Sequence, residues 1–244
     1  MRIALYSALS MSFMAASAFA ETPAPHKKQY NEPTRGFLIE HGTVSGQGKA
    51  SVEFHTGSDE LNAGGGIRLG LAQAELIINS GLNGYDENEA LLKWGMSDLN
   101  LNQTPVHWAL IAAVSHLDVD YDNGQEFDRT HIKLGAAATM SADAATFTLA
   151  PQLVYADSDE AGETDDTFIE IGLGGYVGVI DTPTGLFSLG AELILTSEDD
   201  MDNTFALGGR WAYNEQLNID IIPAIFSEGD LMGVPGLVRL NIAF

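Results

Sequence analysis

The sequence has no cysteine, few basic residues and no long apolar run after its first twenty positions. Without cysteine there is no disulfide framework, no thiolate metal site and no cysteine nucleophile. Lysine and arginine number 11 against 34 aspartates and glutamates, a formal net charge of −23. That balance excludes a general nucleic-acid binder, because a phosphate backbone needs a basic surface to displace its counterions. The longest apolar run beyond the first twenty residues, Trp108–Val114, falls far short of the ~20 residues a spanning helix needs. What is present argues against disorder: hydrophobic residues make up 45% of the 244 positions and charged residues only 18%. Twenty-six glycines suit a strand-rich chain with many turns.

The first twenty residues read as a secretory signal peptide. Arg2 supplies the positive start, Ile3 to Phe19 is mostly apolar, and Ala18-Phe19-Ala20 is a small-x-small cleavage site before Glu21. The expected organisation is a signal peptide over 1–20, a periplasmic or lumen-inserted segment over 21–47, and one strand-rich domain over 48–244. If that domain enters a membrane it must do so as a closed barrel, in which strands satisfy one another's backbone groups.

From Gln47 onward the chain repeats one unit: about ten residues alternating apolar and polar, then a turn or an acidic loop. Twelve such segments are expected, at 48–57, 63–71, 74–81, 88–97, 105–117, 129–140, 145–156, 166–179, 185–196, 203–213, 217–226 and 234–244. In 203–213, Phe205, Leu207, Gly209, Trp211 and Tyr213 share one face while Thr204, Ala206, Gly208, Arg210 and Ala212 share the other. A helix would place its apolar positions at a period near 3.6, and none of the twelve does. Ten or fourteen strands are the neighbouring counts, since Gly36–Val44 and segment 74–81 are the least regular.

The connections alternate as well. Odd-numbered segments are followed by acidic loops and even-numbered ones mostly by tight turns, with 98–104 the one longer exception. The six acidic loops and their edges hold 22 of the 34 acids. In an up-and-down sheet they emerge together as an acidic crown. Long loops at one end, short turns at the other and an even strand number mark an all-β, up-and-down antiparallel barrel of the outer membrane.

The two faces carry different chemistry. One is apolar throughout, including Phe54, Ile67, Leu92, Leu134, Leu189 and Val238. The other carries Lys49, Glu53, Arg68, Glu75, Lys93, Lys133, Glu170, Glu192, Arg210, Asp220 and Arg239, six basic and five acidic groups expected to line the lumen. Inward glycines at 66, 70, 95, 135, 172, 174, 190 and 208 would leave space there. All three tryptophans fall at the short-turn end, the level of an interfacial aromatic girdle.

The last segment, Leu237-Val238-Arg239-Leu240-Asn241-Ile242-Ala243-Phe244, alternates apolar residues and ends on phenylalanine. It resembles the C-terminal strand of Gram-negative outer-membrane β-barrel proteins, a porin-like class. That resemblance implies an assembly signal at Phe244, recognition by the outer-membrane assembly machinery, and contact with outer-membrane lipid and lipopolysaccharide. The fold does not settle function. The function expected here is a narrow diffusion channel for small solutes beneath an acidic extracellular crown. The alternative is a non-conducting structural or surface-contact barrel, and further behind stands a lipid-modifying or proteolytic enzyme.

Chemistry-bearing patterns are sparse. Asp118, Asp120 and Asp122 alternate like the opening of a calcium loop, yet the glycine comes one place late and Arg129 stands where a bidentate glutamate belongs. Loose Ca2+ or Mg2+ binding at the acidic loops is the most they suggest, and no other cofactor is expected. Ser115 and His116 are adjacent, but neighbours on a strand point to opposite faces and cannot form a dyad. No serine elbow, phosphate loop or paired-histidine metal motif occurs, so no catalytic residue is assigned.

Overall fold

The computed structural model describes residues 34–57, 63–81, 87–120, 126–142, 144–158, 165–198, 203–214, 216–227, 230–231 and 236–244. Fourteen strands are formed: β1 (Ala50–Gly57), β2 (Gly64–Leu71), β3 (Ala74–Ser80), β4 (Glu87–Gly95), β5 (Leu99–Leu101), β6 (Thr104–Asp120), β7 (Glu126–Ala142), β8 (Ala145–Ser158), β9 (Asp166–Thr182), β10 (Gly185–Thr196), β11 (Thr204–Ala212), β12 (Leu217–Ser227), β13 (Asp230–Leu231) and β14 (Leu237–Ala243). Twelve of them form one antiparallel ring in chain order, closed where β14 pairs with both β1 and β12. Two short strands stand outside the ring. β5 doubles back on β6 and β13 doubles back on β12.

The ring follows from the alternation. Outward residues are apolar and exposed: Phe54, Ile67, Ile78, Leu92, Leu134, Leu149, Leu189 and Ile221 all face away from the lumen. Inward neighbours such as Glu53, Arg68, Lys93, Arg210 and Arg239 are buried. An apolar belt around a closed ladder leaves no unpaired sheet edge to lipid, which is the condition for a spanning β structure. The long strands β6, β7 and β9 have 17 residues each. At ~3.4 Å per residue they reach about 55 Å, well beyond the ~25 Å apolar band of such barrels.

Two departures from plain alternation have physical causes. The exceptional stretch 98–104 is a hairpin: Leu101 pairs with Thr104, and Asn102 and Gln103 both take positive φ (50° and 73°), the geometry of a two-residue turn matched to strand twist. In β12 the inward positions run Asn218, Asp220 and Ile222 and then jump to Ile225. Between Leu207/Ala224 and Gly209/Ile221 the ladder to β11 takes up one extra residue at Ile222–Pro223. Proline has no N–H for the ladder and sits at a bulge, which resets the side-chain parity and turns Ile225 into the lumen.

Candidate functional site

The lumen holds residues 34–48, a strap that enters ahead of β1. It folds on itself through an Arg35–Glu40 bridge, with the Gly36 N–H donating to Ile39 O at 2.7 Å and the His41 N–H to Thr34 O at 3.1 Å.

Glu192 of β10 clamps the strap by its backbone. The N–H groups of Phe37, Leu38 and Ile39 donate to its two carboxylate oxygens at 2.8, 2.5 and 3.0 Å, and the Tyr176 hydroxyl also donates to it. The carbonyls on the other side are taken by cations. Arg239 donates to Gly36 O (3.1 Å) and Phe37 O (2.7 Å), Arg210 to Arg35 O (3.2 Å), and Lys93 to Thr34 O (2.8 Å). Arg210 is itself fixed by two hydrogen bonds to Asp220, at 2.6 and 2.8 Å. Backbone groups taken out of water need such partners, and bonds to charged groups are the stronger kind.

Side chains add a second layer. Phe37 is fully buried, edge-on to Tyr176 at 5.0 Å and beneath the Arg210 guanidinium at 5.7 Å. Ala206, Ile222, Ile225 and Leu237 complete its apolar cluster. Burial of one phenylalanine contributes ~1.5–3 kcal/mol. Glu40 sits on Arg68 (2.6 and 3.0 Å) and Lys93 (2.9 Å), and Lys93 also reaches Glu75 at 3.0 Å. Glu75 accepts from Thr34 and Ser45 of the strap, while Arg35 pairs with Glu53 at 3.0 Å. Burial pushes the Glu40 carboxyl up, but Arg68 and Lys93 outweigh it and hold the group well below the ordinary carboxylate range.

The wall glycines are where the strap fits. A Cβ at Gly190 or Gly208 would meet the Phe37 ring, at Gly172 or Gly174 the Ile39 side chain, at Gly95 the Val44 side chain and at Gly70 the Gly46 carbonyl. Six of the eight inward glycines thus border the strap, and the space they leave is occupied. Gly66 and Gly135 border other wall groups, Asn79 and Gln152.

The remaining inward charges lie apart from the strap. Lys133 pairs with Glu87 (3.1 Å) and Glu89 (3.7 Å), Gln152 donates to Glu170 (2.7 Å), and Arg129 pairs with Glu198 (2.5 Å). Lys49 stands just ahead of β1, exposed in the Gly46–Lys49 turn rather than on the wall. Ser115 points inward and is buried, while His116 is exposed on the other face. Asp122 and the side chains of Asp118 and Asp120 lie outside the described residues, as do most of the loops expected to form an acidic crown. Trp94, Trp211 and Tyr213 are exposed on the outer face, with Trp211 and Tyr213 edge-to-face at 5.3 Å. Phe37, Glu40 and the strap's turn were not singled out from the sequence; the signal available was the density of inward glycines.

No family model matches the chain, and no curated protein matches it. Solved structures resemble it in fold. A NanC porin is 12% identical over 80% of this chain and 98% of that one, with a TM-score of 0.48. The outer-membrane expressed OmpT of Vibrio cholerae is 10% identical over 75% of this chain and 65% of that one, with a TM-score of 0.41. A bacterial polysaccharide outer membrane secretin is 10% identical over 83% and 99%, with a TM-score of 0.37. The assignment of the fold rests on the chain's own ladder: a closed twelve-strand antiparallel ring with an outward apolar belt is the architecture of a membrane-spanning β-barrel.

Proposed function

We propose that this barrel is a small-solute channel of the outer membrane held closed by its own strap, residues 34–48. The observation that carries the proposal is the pairing of a charged wall with a separate, tethered filling. Around the strap the ring presents Arg68, Lys93, Arg210 and Arg239 with Glu53, Glu75, Glu192 and Asp220. Buried ion pairs stabilise little compared with apolar packing of the same volume, so a lumen filled only for stability has no use for these eight charged groups. A wall that is wet when the strap leaves and covered when it returns does need them.

Single-channel recording in planar bilayers tests this. The mature chain should show rare, brief openings, and a variant lacking residues 34–47 should conduct steadily. The competing reading, a permanently filled structural barrel, is favoured by the tight fit of Phe37 and gives no conductance in either chain. A folded, heat-modifiable deletion variant that never conducts would rule the channel out. Where the pore is open, the acidic crown supports a preference for cations that fades with salt, over the ~10 Å screening length at 0.1 M. The same crown would hold divalent cations loosely and bridge to lipopolysaccharide.

A further inference from the structure

A cavity of about 120 Å³ lies between the strap and the wall at the short-turn end, where the chain terminus Phe244 pairs with Ala50. Its composition runs against that of the chain. Among the described residues three cations line it, Arg35, Lys49 and Arg68, and no aspartate or glutamate does, although acids outnumber bases 34 to 11 in the sequence. The carboxylates paired with Arg35 and Arg68, Glu53 and Glu40, are not among the lining residues.

The polar groups between the cations have unused capacity. Among the described residues the Thr43 hydroxyl, which is buried, has no hydrogen-bond partner, and neither has the buried Asn218 side-chain oxygen; both residues line the cavity. A hydroxyl that can donate, an amide that can turn to present its N–H, and flanking guanidinium groups form a donor set for an acceptor-rich anion. Unsatisfied buried polar atoms are destabilising, so a ligand that satisfied them would recover that cost. A void of this size takes a few waters or one small oxyanion.

We propose that this cavity binds a small oxyanion, a carboxylate or phosphate of a few heavy atoms. The anion would touch Arg35 and Thr43 of the strap and Arg68 and Asn218 of the wall at once, and so staple one to the other. By linkage, any ligand that binds only the closed arrangement stabilises it. The binding itself does not depend on the channel function proposed above; the stapling of a closed pore does.

Calorimetric titration of the full mature protein in non-ionic detergent tests the site, with inorganic phosphate and acetate as separate probes and chloride as control. Saturable binding of phosphate or acetate, and none of chloride, is expected; the two arms decide between a phosphate-sized and a carboxylate-sized ligand. Asn241→Asp on β14 puts a like charge into the lining without removing any donor of the strap, and should weaken binding about tenfold or more. Lys49→Gln, at the exposed rim, should weaken it by a smaller factor. Heat-modifiable migration checks that both variants are folded. No saturable binding to the wild-type protein, meaning the cavity holds water only, overturns the proposal. So does unchanged affinity in folded Asn241→Asp. Conductance measured on the same preparations separates the two claims: phosphate binding in a barrel that never conducts removes the channel and leaves the site.

Discussion

Gly36 lies so close to the Glu192 carboxylate that a Cβ there would collide with Oε1 and with the Tyr176 hydroxyl. The collision cannot be relieved cheaply, because that carboxylate is pinned by three consecutive amides of the strap. Glycine at this position is what lets the backbone wrap an anion.

Gly36→Ala should therefore unseat the strap while the ring still forms. Hydrogen bonds to charged groups contribute ~1.5–3 kcal/mol each, so losing two of the three would favour release by about 3 kcal/mol or more. Arg35, buried in the closed form, then becomes a site for trypsin. Rapid cleavage after Arg35 is expected in Gly36→Ala and slow cleavage in the wild type. Gly46→Ala is the control, because its Cβ would meet only Lys49 methylenes at 3.8 Å. Equal cleavage rates in all three would show that the clamp does not hold the strap.

Glu40 and Arg68 should be strongly coupled. Removing one partner of a buried pair costs ~3–5 kcal/mol because the other charge is left uncompensated. Glu40→Gln and Arg68→Gln should each raise the trypsin rate at Arg35, and the double variant should raise it by less than the two effects combined. Additive effects would mean the two groups act independently.

Acid should remove the contribution of Glu40 to strap closure only late. A carboxyl whose folded pKa is depressed contributes stability that is full above the ordinary carboxylate range, ~4.3 for glutamate, and that is lost as pH falls through the depressed value. Glu40 is such a group. The difference in trypsin rate at Arg35 between Glu40→Gln and the wild type should persist from pH 7 down to about 5 and vanish only below the ordinary range. Loss of that difference near pH 6 would point to a histidine instead.

Phe244 is exposed in the folded barrel, at 71%, so its side chain has no packing role to lose. Phe244→Asp should nonetheless deplete the protein from the outer membrane, through failed recognition by the assembly machinery. Normal outer-membrane levels of that variant would remove Phe244 as a signal.

Much of the ring was legible in the residues because strand pairing in an up-and-down barrel is local. Each strand meets its neighbour through a short connection, and a period of two tells inside from outside. Leu207 and Arg210 on β11, or Leu92 and Lys93 on β4, announce their faces without any tertiary information. The legibility fails where periodicity is interrupted. Nothing in the alternation foretells that Pro223 shifts the parity and sends Ile225 inward, and the 98–104 stretch reads as a loop although its turn pairs Leu101 with Thr104.

The strap was legible only as an alternative, a segment either periplasmic or lumen-inserted, and its contacts were not legible for a different reason. Phe37-Leu38-Ile39 is a short apolar run with no period, and its partners Tyr176, Glu192, Arg210 and Arg239 lie more than a hundred residues away. The inward glycines showed that room exists, but room for solute and room for a side chain look the same in one dimension. The sequence by itself determined the strand number and the two faces, since each depends on residues close together in the chain. Only the tertiary structure decided what fills the lumen, because the Glu192 carboxylate and the Phe37 amide acquire their relationship when the ring closes and brings opposite walls within hydrogen-bond reach.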